Sequence, residues 1–459
     1  MSTLSPVEFE VIRSRLLATT EEMRIALQSV SGSPTVTEAS DFFTGLFLPD
    51  GSFASMGFQV SIQAPVVGYL IRAVADRPYH EVRDGDMFMG NDPFVGALHQ
   101  NDLQLTGPIH ADGQIIAWAG VEAHVTDIGG MDFASWSPRA RDCRQEGLRI
   151  PCVKVVEQGR PREDIIGMIL TATRLPAQLG LDIRAFIATI NVARQRIGQL
   201  AGRYRADRVV EAMHRMIATS RKRMEARLLE LPDGDFHAAD FLEHDGEANR
   251  LYKIDVRMKK RGERLAFDFG GSSRQAPGFI NCTRAGLYGA VAGSLLPMMA
   301  YDMPWNQGVM DVMDIAAPDG LVCTAQYPAP VGSATVETIW VVTNAVSAVL
   351  NKLLACSKAY AARAQAAATA PCRPSTWAGA TSTASHSGCT SWMRWRVATR
   401  RSPARTATTP AARTTRRPPA SPTWSATSRR CRYSTSIAAS RVTRRVLEPS
   451  PAVFRPRCA

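Results

Sequence analysis

Three side chains that commonly bind metal ions are spaced for a shared site. His99 and Asp102 are three residues apart, and His124 follows Asp102 by 22 positions. A histidine and a carboxylate at this spacing can reach one cation from a helical turn or tight loop, and a second histidine across a hairpin would complete a facial set. Such a set suits zinc, manganese or iron(II). Loop capping by the same residues remains an alternative, because a His-x-x-Asp pattern is weak alone.

Two further carboxylates are candidates for catalysis. Asp127 lies three residues after His124 and could act as a fourth ligand or orient an imidazole. Asp127 or Glu146 could transfer protons if burial moves a carboxyl pKa toward neutrality. For Glu146 the alternative is a surface salt bridge with Arg149.

A predicted hairpin must bring these residues together. Ala111, Asp112 and Gly113 separate two strand-like segments, 103–109 and 115–121, and an Asp-Gly pair tolerates the positive φ of a tight turn. Upstream, the stretch 84–94 predicts a strand with an extended exit toward His99. An earlier hairpin is predicted for 42–53, where Pro49 to Ser52 supply the turn.

The remaining segments predict an α+β fold of mixed layers with β-hairpins. Helical composition runs from about 162 to 231, strands are expected at 251–258 and 264–269, and an apolar helix at 285–299. We expect four regions: an N-terminal α+β region with the candidate site, a helical region, a second α+β region, and a basic tail of low order. Their bounds are 1–160, 161–231, 232–366 and 367–459.

The net charge of +12 is concentrated at one end. Residues 351–459 hold 18 Arg, 2 Lys and 1 Glu, whereas residues 1–350 hold 34 basic and 41 acidic residues. The body is therefore mildly acidic, and neither nucleic acid nor a membrane is an expected partner. An Arg-rich stretch at 194–208 is expected to be a solvated or subunit-facing helix surface. We expect a cytoplasmic protein with reduced cysteines, since the nine Cys form no regular framework.

Beyond about residue 367 the composition changes to Arg, Thr, Ala, Ser and Pro, without sustained helical or strand periodicity. One interpretation is a disordered basic tail that binds acidic partners. The other is a change of reading frame, which would produce this composition from GC-rich codons. We favour the frame change, because the segment is also rich in Trp and Cys.

Six blocks together resemble the hydantoinase B family, in order between about Ser5 and Ala366. They lie at 85–94, 96–102, 123–130, 145–151, 268–273 and 280–283. The resemblance implies a B-type component such as that of ATP-dependent N-methylhydantoin hydrolase or the second half of 5-oxoprolinase. In the carboxylase branch a metal ion is held by residues that fall on His99, Asp102 and His124. The chain departs from many relatives at Val125, where they have a second histidine, and after Ala367, where they continue with a Gly-rich portion.

The resemblance also implies an ATP-binding A-type subunit as partner in a hetero-oligomer, and the sequence itself contains no phosphate-binding loop. We expect metal-assisted hydrolysis of a cyclic amide such as a hydantoin or 5-oxoproline, with ATP used through the partner. The bound divalent metal would polarise the amide or lower the pKa of a water. One alternative is a subunit of an ATP-dependent ketone carboxylase. A second is a truncated, inactive product or an interaction module.

Overall fold

The computed structural model describes residues 4–57, 59–77, 81–364, 375–380 and 386–391. Helices and strands alternate in mixed order around two main sheets, which confirms the predicted α+β class. The helices are α1 Pro6–Val30, α2 Pro34–Thr37, α3 Val67–Ala75, α4 Glu163–Ala172, α5 Pro176–Tyr204, α6 Ala206–Leu229, α7 Arg284–Met299, α8 Gln307–Met310 and α9 Thr338–Ala355. The strands are β1 Phe42–Phe47, β2 Phe53–Met56, β3 Met87–Gly90, β4 Asp102–Ala111, β5 Gln114–His124, β6 Val153–Glu157, β7 Arg160–Pro161, β8 Gly234–Leu242, β9 Tyr252–Arg261, β10 Arg264–Asp268, β11 Met313–Ala316, β12 Ser375–Ala380 and β13 His386–Ser391.

The first sheet has seven strands in the order β2-β1-β5-β4-β3-β6-β7, and each neighbouring pair is antiparallel. Both predicted hairpins are confirmed, as β1–β2 and β4–β5. At the second turn Asp112 and Gly113 both have positive φ, as a tight hairpin turn requires.

Alternation along β4 and β5 gives the hairpin two different faces. Leu103 and Leu105 of β4 are fully buried in one apolar cluster with Val121 and Ala123 of β5. That face packs against α5. The residues between them, including Asp102 and His124, point to the opposite face, because successive strand side chains alternate.

Long helices cover the apolar face of this sheet. Helix α1 begins at a capping box formed by Ser5 and Glu8, and Pro176 begins α5 because proline is tolerated in the first turn. The predicted helical stretch is confirmed as α4 to α6. Its arginines pair with acidic residues elsewhere in the chain: Arg194 with Asp84, Arg196 with Glu22, and Arg208 with Glu8.

The second sheet has the order β11-β10-β9-β8, in which β10 and β11 are parallel and the other pairs antiparallel. The predicted strands and helix are confirmed as β9, β10 and α7. The sequence did not predict β8, whose exposed positions mix polar Asp235 and His237 with apolar Ala239 and Phe241. Nor did it predict α9, whose start is rich in β-branched residues. In the described part, α9 is the one helix long and apolar enough to cross a membrane, and it packs against α7, β8 and β9.

The tail expected from residue 367 onward lies largely outside the described residues. Within it, β12 and β13 pair as antiparallel strands, which the sequence did not predict. Five cysteines are free thiols, as the sequence predicted for them: Cys143, Cys152, Cys282, Cys323 and Cys356.

Burial on α5 predicts a sharp contrast between two leucines of the same helix. Leu179 is 2% exposed and Leu181 is 42% exposed. We expect Leu179→Ala to lower the free energy of unfolding by about 2 to 5 kcal/mol, since it leaves a cavity. Leu181→Ala should change it by about 0.5 kcal/mol or less. Denaturant unfolding of both variants measures this, and equal losses would contradict the packing of α5 on the sheet.

Candidate metal centre

The structure brings His99, Asp102 and His124 into one cluster. Nε2 of His99 lies 3.2 Å from Oδ1 of Asp102 and 3.1 Å from Nδ1 of His124. The third side of this triangle, from His124 Nδ1 to Asp102 Oδ1, is 3.4 Å. Each residue therefore directs one potential ligand atom toward a common point.

Strand pairing places two of the three. Asp102 begins β4 and stands directly opposite His124, which ends β5, so their side chains share one face of the sheet. His99 lies in the turn before β4, where its carbonyl accepts a hydrogen bond from the Asp102 backbone N–H at 3.1 Å. At the end of β5, the Thr35 hydroxyl donates a hydrogen bond to the His124 carbonyl and so fixes the backbone there.

The spacing of the three atoms fits a small divalent cation. Bonds of about 2.0 to 2.2 Å put adjacent donors about 2.8 to 3.6 Å apart in octahedral or tetrahedral geometry. All three measured separations fall in that interval. In addition, Oδ2 of Asp102 is buried without a hydrogen-bond partner, a costly arrangement that a bound cation would relieve.

Charges within the cluster favour an ionised carboxylate beside imidazole. Burial opposes the charge on Asp102, but the two histidines outweigh it and hold the Asp102 pKa below its ordinary value. Burial likewise opposes protonation of His99, yet the charge and hydrogen bond of Asp102 raise the His99 pKa above its ordinary value. The side chain of His124 is 15% exposed, compared with 2% for His99 and 1% for Asp102. Solvent therefore reaches the cluster at His124.

The other nitrogen of His99 has a fixed partner. Nδ1 lies 2.9 Å from the carbonyl oxygen of Gly332, and since a carbonyl can only accept, Nδ1 carries the proton. That tautomer leaves a lone pair on Nε2, directed at Asp102 and His124. Gly332 lies between β11 and α9, far from the hairpin in sequence.

Glu146 is buried close to the cluster and is not a surface residue. Its carboxylate accepts hydrogen bonds from the backbone N–H groups of Val331 and Gly332, at 2.8 and 2.6 Å. Burial raises the pKa of Glu146 to about 8, while these two donors act in the opposite direction. The alternative prediction, a surface salt bridge between Glu146 and Arg149, is wrong, because the Arg149 guanidinium lies 3.4 Å from the Asp92 carboxylate instead.

Asp127 anchors a loop and is not part of the three-residue cluster. Its oxygens accept from the backbone N–H groups of Gly129, Ala134 and Arg174 and from the side chains of Thr173 and Arg174. These contacts leave little room for a ligand role. Proton transfer by Asp127 or Glu146 remains a prediction, and the contacts of both favour an anchoring role.

Two acidic residues near the cluster were missed from the sequence. The backbone carbonyl of Asp41, just before β1, accepts from the His124 N–H at 3.1 Å, and burial raises the Asp41 pKa while the charge of His124 opposes the increase. Glu122 is fully buried one row behind His124, and burial, together with the charge of Asp102, raises its pKa well above the ordinary value. The i,i+2 spacing of Glu122 and His124, directly after the predicted strand 115–121, was an available signal. Asp41 had none.

Comparison with known proteins places this chain in a family. The family model described as Hydantoinase B/oxoprolinase matches residues 5–396. The match begins just before α1 and ends within the segment whose composition changes after residue 367.

Two curated proteins are similar to this chain in sequence. The beta chain of the caprolactamase of Pseudomonas jessenii is 29% identical over 77% of this chain and 61% of its own length. The B component of a putative D-/L-hydantoinase of Pseudomonas sp. (strain NS671) is 27% identical over 74% and 61%. This chain thus spans about three fifths of the length of these relatives.

The crystal structure of the ATP-dependent caprolactamase from Pseudomonas jessenii superimposes with a TM-score of 0.72 at 27% sequence identity. The superposition covers 77% of this chain and 61% of that chain. The family match over most of the sequence and the shared fold lead to one conclusion: the chain belongs to the hydantoinase B/oxoprolinase family.

Proposed function

We propose that this chain is the B-type subunit of an ATP-dependent cyclic amide hydrolase, in which His99, Asp102 and His124 hold a divalent metal ion. The observation that carries the proposal is the triangle of donor atoms with sides of 3.1, 3.2 and 3.4 Å. The unpartnered Oδ2 of Asp102 supports it. The named relatives, components of a caprolactamase and of a putative hydantoinase, support a lactam or hydantoin as the substrate class.

A partner subunit supplies ATP chemistry in this proposal. The relatives are named as single subunits of larger enzymes, and this sequence contains no phosphate-binding loop. The expected partner is the ATP-binding A-type subunit, which would activate the amide before the ring opens.

In this proposal the residues of this chain bind the metal ion and orient its ligand atoms. His99 presents Nε2 because its Nδ1 proton is committed to Gly332, and Asp102 contributes a negative charge that the buried surroundings strengthen. Asp41 adds a second carboxyl group next to the cluster, which would help balance a dication. The exposed edge of His124 marks the side from which substrate approaches. The metal, when bound, would supply Lewis acidity toward a carbonyl oxygen or a water.

Removal of one ligand should remove the metal. We expect His99→Ala to lower the bound metal per chain at least about tenfold, as measured by elemental analysis of the purified chain. His237→Ala is a matched control, because His237 also lies 3.1 Å from a carboxylate, that of Asp255, but outside the cluster. Unchanged metal content in His99→Ala would exclude His99 as a ligand.

Metal affinity should fall in acid. Asp102 raises the pKa of His99 in the metal-free protein, so His99 holds its proton to a higher pH than an ordinary histidine, and a metal ion must displace that proton. Below this raised pKa the affinity should decrease by about tenfold per pH unit for each proton displaced. Titrations with zinc or manganese between pH 8 and pH 6 test this, and a constant affinity would argue against imidazole ligands.

Activity requires the partner. With a co-expressed A-type subunit we expect ADP release that depends on a lactam, a hydantoin or 5-oxoproline, and we expect His124→Ala to abolish it while the two subunits still co-purify. The His237→Ala complex should retain the activity. ADP release driven by a ketone and bicarbonate, with no response to cyclic amides, would instead support the carboxylase alternative.

A further inference from the structure

We propose that Glu146 is a positioning residue: its carboxylate holds the Val331–Gly332 backbone so that the Gly332 carbonyl fixes the His99 tautomer needed for metal binding. This inference deepens the proposed function and rests on it. It assigns Glu146 a role different from the proton transfer expected from the sequence.

The first contact in this relay is a two-point clamp. The two oxygens of Glu146 accept from two consecutive backbone N–H groups, Val331 at 2.8 Å and Gly332 at 2.6 Å. Glu146 is 1% exposed, so these two hydrogen bonds are shielded from water. A proton carrier needs an oxygen open toward its substrate, whereas both oxygens of Glu146 are engaged with the backbone.

The second contact joins the Gly332 backbone to His99, the candidate ligand. The peptide that follows the clamped N–H of Gly332 carries the carbonyl that accepts from His99 Nδ1 at 2.9 Å. Such a hydrogen bond on the far nitrogen sets both the ring orientation and the tautomer of a metal-binding histidine. Displacing this carbonyl would free His99 to place its proton on Nε2, where it would block a cation.

The clamped turn is also held from its other side. Asn281 donates to the Pro330 carbonyl at 2.9 Å, and the Ser333 N–H donates to the Phe279 carbonyl at 3.1 Å. Residues 330–333 are thus fixed between Glu146 and the segment that precedes α7. A Cβ at position 332 would lie 2.8 Å from Oε1 of Glu146, so any larger residue here would press on the clamp.

The test uses Glu146→Gln in the full chain. An amide can accept from only one of the two N–H groups and turns a donor toward the other, so the clamp should open on one side. The matched control is Asp86→Asn, since Asp86 is a fully buried carboxylate that also accepts from two backbone N–H groups, those of Arg83 and Gln158.

Two readouts separate positioning from simple structural support. Nitrogen-15 NMR of the histidine rings reports the tautomer directly, and the chain has only eight histidines, so the His99 signal can be assigned by its loss in His99→Ala. Zinc titration reports affinity. We expect Glu146→Gln to populate the Nε2–H tautomer of His99 and to weaken zinc binding by about 10- to 100-fold, with neither change in Asp86→Asn.

Several outcomes would overturn the inference. One is a Glu146→Gln variant that keeps the Nδ1–H tautomer and the parent affinity; another is an equal loss of affinity in Asp86→Asn. If Glu146→Gln does not fold, Gly332→Ala decides, because its added methyl group would lie 2.8 Å from Oε1 of Glu146 and push that oxygen away from the Gly332 N–H. Parent-like zinc binding in Gly332→Ala would contradict the relay. Zinc binding that survives His99→Ala would sink the proposed function itself, whereas loss in His99→Ala without loss in Glu146→Gln would sink only this inference.

Discussion

The register of the β4–β5 hairpin is the constraint on which the candidate site depends. Asp102 stands opposite His124 because the pairing shifts by one residue between Ile109 and His110. Without that bulge, the pairing of Ala111 with Gln114 at the turn would continue along the strands and set Asp102 opposite Ala123. A one-residue slip sends a side chain to the other face of a sheet, so His124 would point into the apolar layer beneath α5. The bulge thus directs the two candidate ligands, Asp102 and His124, to the same face of the sheet.

A second constraint comes from the far half of the chain. The hairpin alone provides Asp102 and His124, and the turn before β4 provides His99, but the orientation of the His99 ring depends on Gly332. The turn that carries Gly332 is held by Glu146 on one side and by Asn281 on the other. The candidate metal centre is therefore completed only when the segment between the second sheet and α9 docks against the first sheet. The orientation of the candidate ligand His99 therefore depends on the packing of these two parts against each other.

Three acidic residues concentrate negative charge around the cluster. Asp41, Asp102 and Glu122 lie close enough for their charges to act on one another, in surroundings with little solvent. Like charges in a buried space disfavour ionisation, and a neighbouring positive charge reverses that preference. Two imidazoles offset this partly, and a divalent ion would offset it fully. The anchoring carboxylates Asp127 and Glu146 differ, since backbone N–H groups already satisfy their oxygens.

The sequence by itself determined the candidate ligands, both hairpins, the helical stretch that forms α4 to α6, helix α7 and the α+β class. These depend on local signals: an Asp-Gly turn, alternating apolar residues and stretches of helical composition. The sequence could not determine the bulge between Ile109 and His110, because no particular residue type marks the position of an extra residue in a strand. Nor could it show that Glu146 faces Gly332, or that Asp41 joins the cluster, since those contacts join segments distant in sequence. Only the tertiary structure decided them, because docking of one backbone segment against another determines which groups each side chain meets.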